Sequence, residues 1–276
     1  MSELTVSGLL RTDTMRISDV HCAGTCRHKS AEECAGATHL VFPYRGLYVR
    51  HVGPDDAVAE ANQVLFFNRD DGYRVSHPVT GGDACLSVMV DEALLHELAP
   101  VEHLRPGGDL AFRPHRLRID PRAQALAALL RHSLAQGTAE TLEGEALTLT
   151  LIRRALGERT AHAPRSSAGR QKMVDRAKVV LSGDLTRRWT LAEIGAEVGV
   201  SPVYLTQVFQ QVEGVPLYRY QLRLRLARAL DLLPDYDDIT ALSLDLGFSS
   251  HSHFSAAFRQ AYGRTPAEFQ RTVRAR

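Results

Sequence analysis

The sequence contains no long apolar run. No stretch of its 276 residues approaches the roughly 20 apolar residues that a membrane-spanning helix needs. Residues 1–16 include the acidic Glu3 and lack a basic segment leading into an apolar core, so we expect no signal peptide. With 44% hydrophobic and 24% charged residues, the composition is typical of a soluble globular protein, which we expect in the cytoplasm without contact to a membrane.

Cysteine is scarce, and none follows residue 85. The four cysteines are Cys22, Cys26, Cys34 and Cys85. In a reducing cytoplasm we expect free thiols, metal ligands or redox sensors rather than structural disulfides. A site of all four thiolates, or of three thiolates with His77, would suit zinc or another thiophilic metal such as copper(I). The alternatives are a reversible disulfide under oxidative stress, or no role beyond packing, with Cys85 a small buried side chain.

The formal net charge is only +1, but the charges are unevenly distributed. Residues 165–276 contain 16 lysines and arginines against 11 acidic residues, whereas the rest of the chain contains 17 against 21. This excess of positive charge in the C-terminal part favours the binding of nucleic acid there.

Residues from about 36 to 92 have the pattern of short β-strands. Segments such as THLVF, GLYVRHV and QVLFFN are rich in Val, Leu, Phe and Tyr, and clusters of Gly, Pro, Asn and Asp separate them. The pattern predicts a small antiparallel β-barrel over about residues 36–118. Two Ala- and Leu-rich segments over about residues 121–159 then predict an antiparallel helical pair. Its apolar residues suffice for packing on the barrel and on a second subunit, although a purely intramolecular core would also use them.

A short polar segment separates this region from the C-terminal part. Residues 161–170 are small and polar and include Pro and Gly, as expected for an interdomain linker. Residues 171–276 have helical patterns almost throughout. The predicted fold class is therefore α+β, with a barrel and a helical pair in one domain at residues 1–160 and an all-α domain at residues 171–276.

The C-terminal part carries the same kind of segment twice, at residues 191–209 and 239–258. Each copy has a short apolar-periodic helix, a glycine turn, a serine at a helix start and a second helix that ends in Phe. The turn glycines are Gly199 and Gly247, and a basic helix lies between the copies. Two helix-turn-helix motifs in one small domain predict DNA as the partner.

Residues 171–276 resemble the AraC/XylS family of bacterial transcription regulators. The resemblance lies in the first helix, the first repeat, the long linking helix and the ending DLGFSSHSHFSAAFRQAYGRTPAEFQR. That ending closes with Gly263, Pro266 and Phe269 in the family's Gly-x-x-Pro-x-x-Phe pattern. The resemblance implies two recognition helices in successive major grooves, about 34 Å apart. It also implies that residues 1–160 form a cupin-like sensing domain followed by helices that dimerise.

The resemblance assigns base-reading positions to both recognition helices: Val203, Thr206 and Gln207 in the first, and His251, Ser252 and Ser255 in the second. Gln207 can pair bidentately with adenine, and Val203 or Thr206 can contact a thymine methyl group. Ala256 stands where family members often carry a long polar side chain, which predicts that base reading by the second helix is weak or confined to His251 and Ser252. Six arginines are predicted phosphate contacts, of which we expect about half to matter: Arg187, Arg188, Arg219, Arg223, Arg259 and Arg264.

These features predict a sequence-specific DNA-binding transcription regulator rather than an enzyme. The resemblance implies a homodimer that binds double-stranded DNA, with RNA polymerase as a further partner. The N-terminal domain is expected to receive the signal. Our leading hypothesis for that signal is a metal bound by the cysteines, and the alternatives are thiol oxidation and a small organic ligand.

Three other functions fit the sequence less well. Cupin enzymes hold a metal with clustered histidines and a carboxylate, but here His51 and His77 stand apart. A methyl-accepting DNA-repair regulator of the Ada type would share the spacing of Cys22 and Cys26, but the C-x2-C pair that should follow is missing. An architectural DNA-binding protein without an effector would have no use for a large separate N-terminal domain.

Overall fold

The computed structural model describes residues 4–107, 109–157 and 167–274. The main segments of its two compact units are Met1–Thr160 and Ala161–Thr272. The predicted linker at residues 161–170 lies mostly outside the described residues. Within the described ranges, no helix is long and apolar enough to cross a lipid bilayer.

Ten strands occur among the described residues of the N-terminal unit. They are β1 (Leu4–Arg11), β2 (Met15–Cys22), β3 (Glu33–Cys34), β4 (His39–Gly46), β5 (Tyr48–Val52), β6 (Asp55–Ala59), β7 (Gln63–Phe67), β8 (Gly72–Ser76), β9 (Asp83–Val90) and β10 (Arg116–Arg118). Six form a sheet in the order β1-β2-β9-β4-β7-β10, and the other four form a sheet in the order β3-β8-β5-β6. The paired strands are antiparallel, which confirms the predicted antiparallel sheet region.

The first two strands precede the region in which we predicted strands. β1 is mostly exposed along its length, and β2 mixes apolar and polar residues on both of its faces. β2 nevertheless lies inside the larger sheet, paired with β9 from Met15 opposite Val90 to Cys22 opposite Asp83.

The larger sheet buries both of its faces. Because side chains alternate along a strand, Ile17, Leu86 and Val88 point to one side and join a core shared with helices. Val20 and Cys85 point to the other side and join a second cluster, to which the smaller sheet contributes Tyr48, Ala59, Tyr73 and Val75. The two-sided burial explains why β7 is buried at every position.

Three helices contribute to the first of these cores: α1 (Glu92–Leu98), α2 (Pro121–Ala135) and α3 (Thr141–Leu156). α2 and α3 lie within the segment at about residues 121–159 for which we predicted a helical pair, whereas α1 was not predicted. Asp120 caps α2 by accepting a hydrogen bond from the backbone N–H of Ala123 at 2.9 Å. The same carboxylate accepts a hydrogen bond from Arg154 Nε at 2.9 Å, and this contact joins α2 to α3.

From Ala168 onward the described chain is helical. Its helices are α4 (Ala168–Gly183), α5 (Leu191–Val198), α6 (Pro202–Glu213), α7 (Leu217–Leu232), α8 (Ile239–Asp245), α9 (His251–Tyr262) and α10 (Pro266–Arg274). A buried ion pair fixes α4 to α6, since Lys178 Nζ lies 2.7 Å from Glu213 Oε1. Lys178 also lies 5.2 Å from the ring centre of Tyr220, which adds α7 to this contact.

The pairs α5–α6 and α8–α9 are built alike. Gly199 follows α5 with φ +79°, and Gly247 follows α8 with φ +78°, a left-handed conformation that glycine adopts without strain. The Ser201 hydroxyl then caps α6 by accepting a hydrogen bond from the backbone N–H of Tyr204 at 3.3 Å. Ser250 caps α9 by accepting from His253 N at 3.1 Å. The two copies seen in the sequence therefore form two similar helical corners.

The two turn glycines differ in the space around them, which generates a prediction. A Cβ on Gly199 would meet nothing within 4 Å, whereas a Cβ on Gly247 would lie 2.4 Å from the carbonyl oxygen of Thr186. Gly199→Ala should cost roughly 1–2 kcal/mol of unfolding free energy from backbone strain alone. Gly247→Ala should cost at least about 1 kcal/mol more, because the backbone at Thr186 must also move.

The measurement is urea unfolding of the full chain followed by tryptophan fluorescence. The chain has a single tryptophan, Trp189, so the signal reports this unit alone. Equal losses in the two variants would contradict the close packing at Gly247.

Candidate functional site

The first helical corner exposes the residues predicted to read bases. On α6, Leu205 and Phe209 are fully buried, whereas Val203 is 69% exposed. Gln207 is exposed and Thr206 is half-buried. The Thr206 hydroxyl donates to the carbonyl oxygen of Pro202 at 2.9 Å, within the same helix. The N-terminal half of α6 thus presents apolar and amide groups to solvent.

The second corner has the same arrangement. Phe254 and Phe258 of α9 are fully buried, and His251 and Ser252 are exposed. The half-buried Ser255 has its hydroxyl 3.3 Å from His251 Nε2. Imidazole and hydroxyl groups therefore stand together at the start of α9, where side chains reach outward from a capped helix.

The six predicted phosphate contacts all lie at the surface of the helical unit. Arg223 is half-buried, and the other five arginines are exposed. Arg187 already has partners, because its guanidinium donates to Glu193 Oε1 at 2.6 Å and stacks 4.1 Å from the ring centre of Trp189. Arg219 Nε donates to the Tyr218 hydroxyl at 3.1 Å.

Arg225 on α7 has a structural role that sequence reasoning missed. Its guanidinium donates to four backbone carbonyl oxygens, at 2.6 to 3.0 Å: those of Leu185, Thr186, Arg187 and Gly247. The first three belong to the segment before α5, and the fourth belongs to the turn between α8 and α9. Gln221, one turn earlier on α7, donates to the carbonyl oxygen of Arg187 at 2.8 Å. Arg225 therefore couples the two helical corners, and its sequence context does not distinguish it from the neighbouring arginines.

The N-terminal unit contains a cavity of about 330 Å³ between its two sheets. Val41 and Phe67 of the larger sheet line it, as do Tyr48 and Tyr73 of the smaller sheet. We call this space the sheet cavity. Its size and largely apolar wall, with a few polar groups, are typical of a site for a small organic molecule.

A cluster of three potential metal ligands lies in the wall of the sheet cavity. Ligand atoms of Cys22, His77 and Asp83 all lie within 4.8 Å of one another. His77 Nε2 is 2.7 Å from Asp83 Oδ2, and the two residues are only 2% and 8% exposed. His77 Nδ1 is buried and has no hydrogen-bond partner among the described residues. Burial raises the pKa of the Cys22 thiol, and the nearby Asp83 carboxylate adds to that rise.

The predicted set of four cysteine ligands does not assemble within the described residues. Cys34 is exposed on β3, and Cys85 is buried, where burial raises the pKa of its thiol. Cys26 contributes a backbone contact, since its carbonyl oxygen accepts from His77 N at 2.8 Å. Of the five predicted ligands, Cys22 and His77 belong to the cluster, and Asp83 is a member that we did not predict. The sequence signal that could have pointed to Asp83 is the Gly81-Gly82-Asp83 segment that follows His77.

Glycines allow the loops that carry the cluster to touch. A Cβ on Gly82 would lie 2.2 Å from the carbonyl oxygen of Cys22, and a Cβ on Gly24 would lie 2.6 Å from Gly82 Cα. Both glycines have positive φ. The end of β2 and the start of β9 therefore approach each other more closely than other residues would allow.

The helical unit is similar in sequence to transcription regulators. Residues 194–272 match the helix-turn-helix domain family. A stretch of 99 residues, 36% of the chain, is 33% identical to the HTH-type transcriptional regulator GadX of Escherichia coli O6:H1 and covers 36% of its length. A longer stretch of 223 residues, 79% of the chain, is 26% identical to a putative AraC-like transcription regulator of Streptomyces antibioticus and covers 68% of its length. The match with GadX thus spans about a third of that relative.

Solved structures that resemble the chain include an AraC-type DNA-binding domain-containing regulator from Chromobacterium violaceum. It is 32% identical with a TM-score of 0.37, and the match covers 40% of this chain and 98% of that one. ToxT from Vibrio cholerae O395 is 12% identical with a TM-score of 0.37, and the match covers 100% of this chain and 99% of that one.

Replacement of Arg225 tests the coupling of the two corners. Arg225→Leu removes four hydrogen bonds that a charged donor makes to part-buried or exposed backbone carbonyl oxygens, so it should lower the unfolding free energy by about 2 kcal/mol. Arg219→Leu on the same helix, at an exposed position, should change it by less than about 0.5 kcal/mol. Urea unfolding followed by Trp189 fluorescence measures both, and a loss of the same size in both variants would rule out the assigned role.

Proposed function

Because the chain belongs to the AraC/XylS family of transcription regulators, we propose that it binds specific DNA sequences through two helix-turn-helix units. In this proposal α5–α6 forms the first unit and α8–α9 the second. The observation that supports it most directly is the repeated design, in which a glycine turn and a capping serine present the start of a second helix to solvent. An exposed helix start of this kind is what enters a major groove.

The exposed groups define how each unit would read DNA. Gln207 can make two hydrogen bonds to the major-groove edge of adenine, and Val203 offers an apolar surface to a thymine methyl group. On α9, His251 and Ser252 supply hydrogen-bonding groups, whereas Ala256 is exposed and has none. We therefore propose that the first unit contributes more to sequence discrimination than the second.

The exposed arginines would hold the phosphate backbone. Arg188, Arg219, Arg259 and Arg264 are exposed, and charged contacts of this kind fix the position of a protein on the duplex without reading sequence. Arg187 would have to exchange its contacts with Glu193 and Trp189 for a phosphate oxygen. Because such contacts release counterions, the affinity should fall steeply with salt concentration.

The N-terminal unit would act as a cupin-like sensing domain. The sheet cavity favours a small molecule as its signal. Oxidation of Cys22 or Cys85 is less favoured as the signal, because redox-sensing cysteines have low pKa values and are accessible, whereas burial raises the pKa of these two thiols.

We further propose a homodimer that forms through α2 and α3. Leu142 near the start of α3 is 76% exposed and supports that face as the contact. Double-stranded DNA is the proposed partner of the helical unit, and RNA polymerase would be a further partner at a promoter.

The test is to select DNA sites from a random pool with the full chain and then to compare two glutamine variants. Gln207→Leu should weaken binding to the selected site by about tenfold to a hundredfold, because a bidentate base contact is worth about 1–3 kcal/mol. Gln211→Leu is the matched control. It lies one turn further along α6, where its side chain accepts a hydrogen bond from Arg170 at 3.4 Å.

In the control variant, the affinity for the selected site should stay within about twofold of the unsubstituted chain. Binding of both variants to unrelated DNA should not change. The proposal fails if no preferred sequence emerges, or if the two substitutions weaken specific binding equally.

A further inference from the structure

We propose that Cys22, His77 and Asp83 form a metal site in the wall of the sheet cavity, with an open coordination position that faces the cavity. The three residues come from separate parts of the sheets. Cys22 is the last residue of β2, His77 follows β8, and Asp83 is the first residue of β9. All three line the same cavity. This inference is independent of how the helical unit binds DNA.

The spacing of the ligand atoms fits a tetrahedral ion. With metal–ligand bonds of about 2.0–2.3 Å, tetrahedral zinc holds its ligand atoms about 3.3–3.8 Å apart. The three ligand atoms here lie within 4.8 Å of one another, and His77 Nε2 and Asp83 Oδ2 are 2.7 Å apart. Small side-chain rotations would lengthen the distance between His77 Nε2 and Asp83 Oδ2 and shorten the distances from the Cys22 sulfur to these two atoms. A metal ion bound by both residues would then replace the hydrogen bond between His77 and Asp83.

The charges and the burial of the cluster also call for a cation. Once a metal has displaced the proton of the Cys22 thiol, a thiolate and a carboxylate with a neutral imidazole would carry two negative charges, which a divalent ion would neutralise. Buried charge is costly unless it is paired in this way. Asp83 and His77 are almost fully buried, and His77 Nδ1 lacks a hydrogen-bond partner among the described residues.

The backbone holds the three ligands in place before any metal binds. Cys22 and Asp83 are direct partners in the ladder between β2 and β9, so their side chains lie on the same face of the sheet. His77 is fixed by the hydrogen bond of its N–H to the carbonyl oxygen of Cys26, at 2.8 Å. The close contact of Gly82 with Cys22 fixes the loop before Asp83. A preorganised set of this kind lowers the conformational cost of binding an ion.

The ligand types identify the class of metal and of further ligand. A sulfur, a nitrogen and an oxygen donor suit Zn²⁺ or a similar transition metal, whereas Mg²⁺ and Ca²⁺ prefer oxygen alone. Three protein ligands leave a fourth position for water or an added ligand. We therefore infer that the cavity takes a small, largely apolar molecule with one metal-binding group, such as a carboxylate or a thiol.

Cobalt(II) is the probe that tests the site. It is added to the full chain, purified under reducing conditions and freed of metal with a chelator. Tetrahedral Co²⁺ with a thiolate ligand gives intense visible absorption and a sulfur-to-cobalt charge-transfer band, and about one Co²⁺ should bind per chain. Cys22→Ser should abolish the charge-transfer band, and Asp83→Asn should weaken binding by at least about tenfold. Circular dichroism checks that each variant is folded.

Three matched controls separate this site from the set of four cysteines. Cys26→Ser, Cys34→Ser and Cys85→Ser should each keep the cobalt spectrum and the affinity within about threefold, because their sulfur atoms are not part of the cluster. Loss of the charge-transfer band in these variants, with its retention in Cys22→Ser, would overturn the assignment.

A measurement on the unsubstituted chain keeps the test independent of folding. Zn²⁺ should protect Cys22 from alkylation by iodoacetamide, as mapped by mass spectrometry, whereas the exposed Cys34 should react equally with and without Zn²⁺. Equal labelling of Cys22 in both conditions, or the absence of tetrahedral cobalt absorption, would refute the site.

Discussion

The central strands of the larger sheet of the N-terminal unit bury both of their faces, and the rest of that unit follows from this constraint. One face holds Ile17, Leu86 and Val88 against α1, α2 and α3. The opposite face is covered by the smaller sheet, which Val20, Val41 and Cys85 contact. The two sheets pack closely over only part of their area, and the remaining space is the sheet cavity. The polar residues of the same face, Cys22 and Asp83 among them, therefore line that cavity instead of lying in solvent.

In the helical unit, the two helical corners must be held in a fixed position relative to each other. The glycine turn and the serine cap determine the structure of each corner locally. Neither feature fixes the position of one corner relative to the other. Arg225 supplies that relation by donating both to the segment before α5 and to the carbonyl oxygen of Gly247. The buried pair of Lys178 and Glu213 fixes α4 to α6 in the same unit. The spacing of two DNA-reading helices would therefore depend on residues that touch no DNA.

The candidate sites differ in how far the sequence could predict them. Val203, Gln207, His251 and Ser252 were assigned by position in a helical pattern, and they lie at the surface because helical periodicity places them opposite the buried leucine and phenylalanine residues. For the metal cluster, the spacing of Cys22 and Cys26 suggested two neighbouring ligands. On the folded chain Cys26 contributes only its carbonyl oxygen, and Asp83 joins Cys22 because β2 pairs with β9. A register between strands far apart in the chain is not visible as a spacing.

The sequence by itself determined the elements whose causes are local: the helices with their caps, the turns at Gly199 and Gly247, and the antiparallel strands punctuated by glycine and aspartate. These depend on backbone preferences and on side-chain periodicity over a few residues. Only the tertiary structure decided that Arg225 turns inward, that β1 and β2 extend the larger sheet, and that Cys22, His77 and Asp83 meet at one cavity. The physical reason is that burial and strand register arise from contacts between distant segments, and the energy of those contacts exists only once the chain is folded.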